Sequence, residues 1–110
     1  MTPGRELDAL VAEKVMEWKV DYIPRFGAAV LVGGLSGIAC PPYSTDIGAA
    51  WEVVEKVPYA LCLMRVDGKW RAQFWEFGKY TSRPQGEADA PTAPHAICLA
   101  ALRALGVEGV

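Results

Sequence analysis

The chain has 110 residues, enough for one domain spanning 1–110 and too few for two. Apolar residues make up 52% and charged residues 22%, a globular and not a disordered composition. A formal net charge of −2 argues against electrostatic capture of a long nucleic acid, which needs many cations on one face.

Residues 3–19 read as the first helix. Leu7, Leu10, Val11, Val15 and Trp18 recur at spacings of three and four, while Glu6, Glu13, Lys14 and Glu17 form its solvated side. Thr2 reads as its cap and Pro3 as its first-turn residue. In Gly27–Ala39, Ala29 to Val32 is strand-like, Gly33-Gly34 supplies a tight turn, and Leu35 to Ala39 returns as a short hairpin. The string Gly33-Gly34-Leu35-Ser36-Gly37 lacks both the Lys-Ser/Thr ending of a P-loop and the spacing of a dinucleotide fingerprint, so a turn or flap is the reading. This apolar run is too short to span a bilayer, and the N-terminus shows no signal-peptide pattern. The expected location is therefore a cytoplasm.

Residues 45–57 form the second helix, with Ile47, Ala50, Trp51, Val54 and Val57 as its predicted buried stripe, ended by Pro58. Before it stands Pro41-Pro42-Tyr43-Ser44-Thr45-Asp46-Ile47. A rigid double proline delivers three small polar residues to the place where a helix has unsatisfied N–H groups. Two readings follow: a plain cap, or a polar mouth that accepts an anion.

Tyr59 to Val66 and Lys69 to Phe77 flank Asp67-Gly68, a two-residue hairpin signal that fixes register. It sets Arg65 opposite Trp70, Leu63 opposite Ala72 and Leu61 opposite Phe74 on a face that packs on helices. The other face carries Met64 with Arg71, Cys62 with Gln73, and Ala60 with Trp75. That mixture fits a ligand platform, a subunit interface, or a sheet partly covered by a loop. Lys79 to Pro91 reads as a mobile loop rich in Pro, Gly and acidic residues. Thr92 caps the last helix, Pro94 lies in its first turn, and Gly106 ends it. Ala96 to Leu105 is apolar almost all round, which predicts a sandwiched helix or one at an oligomer interface.

Cys40, Cys62 and Cys98 are widely spaced and read as reduced thiols. With one histidine, His95, and no C-x-x-C, neither a zinc site nor any other metal or cofactor is expected. No base and nucleophile lie together in sequence, so the chain is expected not to be an enzyme.

Three segments carry a resemblance: Gly4 to Met16, Pro41 to Ile47 with Ala49-Ala50-Trp51, and Ala93 to Leu102. They are similar to the phage ABA sandwich domain family, small proteins of phages and prophages. The Tyr43-Ser44-Thr45-Asp46 block is the most specific part. The resemblance implies an α+β fold, an α-β-α sandwich with a small antiparallel sheet between helical layers, three helices and two hairpins. By analogy it implies a counter-defence protein that sequesters a small anionic nucleotide signal, cyclic ADP-ribose-type or cyclic oligonucleotide, as a homo-oligomer. Ser44 and Thr45 would take a phosphate, Asp46 a ribose hydroxyl; Tyr43, Trp70 or Trp75 would stack; Arg25, Arg65, Arg71 or Lys79 would neutralise charge. The alternatives are a protein that inhibits a bacterial immune effector by binding it, and a phage accessory or morphogenesis protein.

Overall fold

The computed structural model describes residues 1–23, 27–32, 36–77 and 83–110. Three helices and six strands follow in the order α1 (Arg5–Lys14), β1 (Lys19–Ile23), β2 (Gly27–Val32), β3 (Ser36–Ala39), α2 (Ile47–Lys56), β4 (Ala60–Val66), β5 (Lys69–Trp75), β6 (Gly86–Ala90) and α3 (Ala93–Ala104). The strands make two antiparallel three-stranded sheets, β1-β2-β3 and β4-β5-β6. This is the expected α+β sandwich. Helix α3 packs against β5 and β6 on one side and against α2 and α1 on the other, and α1 carries β1 and β2.

The hairpin register is the one the sequence predicts, with Arg65 opposite Trp70, Leu63 opposite Ala72 and Leu61 opposite Phe74. Asp67 (φ 50°) and Gly68 (φ 79°) both take the positive φ that a two-residue turn of this hand requires. The Gly27–Ala39 hairpin also forms, with Val32 opposite Ser36. Its Gly33-Gly34 turn lies outside the described residues.

Three expectations are corrected. Helix α1 starts at Arg5, not at Pro3, with Gly4 as its N-cap and no side-chain cap. It stops at Lys14 because Glu17 turns left-handed (φ 58°) and the Trp18 amide reaches back to the Ala12 carbonyl at 2.9 Å. That turn launches β1, which a longer helix would have consumed.

Part of the expected Lys79–Pro91 loop is strand β6. Gly86, Ala88 and Ala90 face inward and are buried, while Glu87 and Asp89 face out opposite Gln73 and Arg71. Small inward residues let α3 approach very closely. A Cβ at Gly86 would lie 2.3 Å from the Ala100 carbonyl oxygen and 2.3 Å from the Ala104 nitrogen.

On α2 the buried residues are Ala50 and Val53, followed by Val57 at its C-cap. Ile47 and Trp51, expected inside, are 41% and 45% exposed. The helix is rotated so that Ile47 and Trp51 face outward.

Ten consecutive residues of α3, Ala93 to Leu102, are buried within the single chain. Its all-round apolarity is used internally, the sandwiched helix that is one of the two expected arrangements. Leu7, Val11, Tyr43, Val53, Phe74, Ile97 and Leu102 are among the largest side chains at the centre of the core. Burying each stabilises by about 1.5–3 kcal/mol.

Candidate functional site

The turn before α2 is built into the core. Tyr43 is 1% exposed and Ser44 fully buried, each held where a ligand cannot reach it. Ser44 donates its amide N–H (2.7 Å) and its hydroxyl (2.5 Å) to the same oxygen of Asp8 on α1. Its Oγ in turn accepts from the Gly4 amide at 2.9 Å. The amides of Thr45 and Asp46 donate to the Pro42 carbonyl at 3.2 and 2.9 Å.

At the helix start the Asp46 carboxylate accepts from the Ala49 amide at 2.9 Å. The anion at this helix mouth is thus the chain's own side chain, placed where the helix dipole favours it. Tyr43 and Ser44 are thus held inside the fold, and Asp46 serves as the cap of its own helix. Thr45 alone of the four is both exposed and free of a capping duty for its side chain among the contacts described.

Burial drives the titration of this region. The Tyr43 hydroxyl is pushed from 10.0 up to about 12 by burial, and the charges of Cys40 and Glu52 add to it. The Cys40 thiol rises from 9.0 to about 11, again by burial first and the Asp8 charge second. Cys98 is raised further for the same two reasons. A neutral thiol is a poor nucleophile. His95 is buried, with Nε2 2.7 Å from the Met1 carbonyl oxygen, so that nitrogen carries the proton and ties down the N-terminus. Among the described residues, no group of three or more His, Cys, Asp and Glu side chains is placed to hold a metal ion.

The outer face of β4-β5-β6 is different. Among the described residues none of its side chains is buried, whereas Ala72, Phe74, Ala88 and Ala90 on the opposite face are. Across it, Arg71 makes a two-point contact with Asp89, Nε to Oδ1 at 2.8 Å and Nη2 to Oδ2 at 3.0 Å, with Glu87 3.5 Å away. The hydrogen bond and charge of Arg71 hold the Asp89 carboxyl below its usual range. Beside them the Trp75 indole N–H donates to Gln73 Oε1 (3.2 Å), and Gln73 Nε2 donates to Glu87 (3.0 Å). The chain Trp75–Gln73–Glu87 fixes the orientation of the indole on an open sheet. Lys69 and Arg71 against Glu87 and Asp89 leave the face neutral in sum.

Arg65 is exposed and stacks over Trp70 with its guanidinium carbon 4.9 Å from the ring centroid. This pair lies on the other face of the sheet from Arg71 and Trp75. Arg25 and Lys79 lie outside the described residues. The expected residues therefore divide: Arg71 and Trp75 lie on one sheet face and are linked through Glu87 and Gln73, Arg65 and Trp70 pair on the other face, and Tyr43 and Ser44 are buried while Asp46 caps its helix.

Sequence reasoning placed Gln73 on this face but missed the two acids of β6. The alternation of small and acidic residues from Gly86 to Ala90 was the available signal. A second feature was also missed: a shallow cleft of about 430 Å³ lined by Met16, Trp18, Glu52, Glu55 and Lys56.

The fold is that of a small phage-type sandwich domain. The chain belongs to the phage ABA sandwich domain family, whose pattern matches residues 9–102. It is similar to a phage protein from Bacillus cereus known from a crystal structure at 28% sequence identity. The match covers 94% of this chain and 92% of that one, with a TM-score of 0.76. No curated protein matches the chain. Among the described residues, no helix is long and apolar enough to cross a membrane.

Proposed function

We propose that this phage protein acts by holding a small nucleotide-type signal intact, as a counter-defence sponge without catalytic turnover. The observation that supports the reading is the Trp75–Gln73–Glu87 chain on the same sheet face as Arg71, each of the four side chains partly exposed. A pre-oriented indole stacks on a base at low entropic cost, and such stacking is worth about 1–3 kcal/mol per base. Gln73 and Glu87 present an amide and a carboxylate to base edges or ribose hydroxyls. Asp89 takes two of the five guanidinium N–H donors of Arg71, on Nε and Nη2, and the donors on Nη1 can reach a phosphate oxygen while that contact stays in place. The site thus moves from the start of α2, where the donors are used internally, to the β5–β6 face.

A second reading, inhibition of a host effector by protein binding, is favoured by α2. Ile47 and Trp51 stand exposed one turn apart, and beyond them the cleft sets Glu52 and Glu55 beside Trp18. An apolar and acidic strip of that kind suits a basic protein surface better than a nucleotide.

One purification separates the readings. The protein is isolated from bacteria whose nucleotide-signalling defence is active, then denatured by heat, and the released molecules are analysed by mass. An intact nucleotide released from the protein supports the sponge. A processed nucleotide accumulating in solution rejects it in favour of an enzyme. No nucleotide, with a host protein co-purifying, rejects it in favour of the inhibitor.

A further inference from the structure

The two sheets have four edges: β1, β3, β4 and β6. Three are blunted in familiar ways. Strand β1 carries Lys19, β6 carries Glu87 and Asp89, and β3 has only four residues. Strand β4 is not blunted. It runs seven residues, Ala60 to Val66, pairs with β5 at every position without a bulge, and holds a single charge, Arg65. Among the described strands it has a neighbour on one side only.

Its side chains are also left short of cover. Leu61 and Leu63 point to the helix side, yet both are only half-buried, whereas their partners Phe74 and Ala72 on β5 are fully buried. Helix α3 packs on β5 and β6, so β4 overhangs the helical layer.

We infer that β4 pairs antiparallel with β4 of a second copy of this chain, joining the two sheets into one of six strands. The strand's own pattern selects that occupant. Opposed residues in an antiparallel pair share a face, so a two-fold axis must pass through a residue. With the axis at Leu63, Leu63 meets Leu63 of the second copy, Cys62 meets Met64, Ala60 meets Val66, and Leu61 meets the aliphatic stem of Arg65. Every pair is apolar on apolar or apolar on a stem. The two arginines stand four positions apart, about 13 Å, beyond the distance at which exposed charges repel strongly in physiological salt. The edge is about 24 Å long. A stable dimer takes about 800 Å² from each partner, more than backbone pairing covers, so the Leu61, Leu63 and Met64 side chains must be buried with it. The pairing is independent of what the outer face holds.

The test is sedimentation of the intact protein with Cys62→Lys/Met64→Lys beside it. These positions lie on the outer face, exposed and half-buried, away from the core. Wild type is expected to sediment at twice 11.9 kDa, and the double variant to dissociate at least about tenfold more readily, because like charges then stand opposite. Its thermal midpoint under dilute monomeric conditions reports whether the fold is intact. In the dimer the two Cys62 thiols are diagonal neighbours about 7–8 Å apart, so a short bis-maleimide should link Cys62 to Cys62. A monomer throughout the micromolar range overturns the inference. So does a dimer that the two lysines leave unchanged, or one cross-linked through another cysteine. If the variant fails to fold, the Cys62 cross-link in wild type decides alone.

Discussion

Ser44 and Asp8, thirty-six residues apart, meet through two hydrogen bonds to one carboxylate oxygen. This contact fastens the turn before α2 to the first helix and buries the polar block that looked most like a ligand site. Removing the carboxylate leaves a buried amide and a buried hydroxyl without their acceptor. Asp8→Ala should therefore cost about 2–3 kcal/mol, a fall in Tm of roughly 10 °C or more in a domain of this size. Asp46→Ala, which deletes only an exposed cap, should cost about 1 kcal/mol. Thermal melts of the two variants check the order; equal losses would refute it.

Gly86→Ala adds one methyl group where strand β6 touches the backbone of α3. The nearest atoms are backbone and cannot swing aside. The expected loss is above about 3 kcal/mol, larger than ordinary overpacking, and read by urea unfolding. A variant of near wild-type stability would mean that β6 and α3 lie farther apart.

Stability should depend on alkaline pH. Cys40 and Tyr43 release protons near 9.0 and 10.0 when unfolded, but near 11 and 12 when folded. Both contributions are full below the unfolded values. As pH rises past them, the unfolded chain ionises first and is favoured, so stability falls until the folded groups ionise too. The urea midpoint should hold from neutral pH to about 9 and then drop toward 12. Cys40→Ala should make the early part of that drop shallower; an unchanged slope would count against burial as its cause.

Trp51 and Phe74 give a test of how α2 is rotated. Phe74→Ala empties the core and should cost about 3–5 kcal/mol. Trp51→Ser, on the exposed side, should stay within about 0.5 kcal/mol. A large loss at Trp51 would restore the stripe that periodicity first suggested.

The contrast between these residues shows what was legible in the sequence. Asp67-Gly68 fixed the β4–β5 register because a two-residue turn allows only one pairing of the flanking strands. Helices α1 and α2 followed from their apolar periodicity, and α3 from Thr92 and Pro94 at its start and Gly106 at its end. Strand β6 escaped because Gly, Ala, Asp and Glu are poor strand formers; only their alternation marks it, and α3 supplies the packing that holds it. The end of α1 escaped because its left-handed turn falls on Glu17, not on a glycine. At the candidate site, Arg71 and Trp75 could be placed on one face from register alone. That Ser44 would turn inward could not, because its partner Asp8 is a charged residue on a helix whose other acids are solvated.

The proposed sponge retains an intact nucleotide through the β5–β6 face. The most direct measurement is the amount of nucleotide released by heat, per chain, from wild type, Trp75→Ala and Thr45→Ala purified from the same signalling cells. Comparable release is expected from wild type and Thr45→Ala, with a loss of at least about tenfold in Trp75→Ala, the worth of one stacking contact. Release that survives Trp75→Ala but disappears with Thr45→Ala, or no nucleotide from wild type at all, would contradict the proposal.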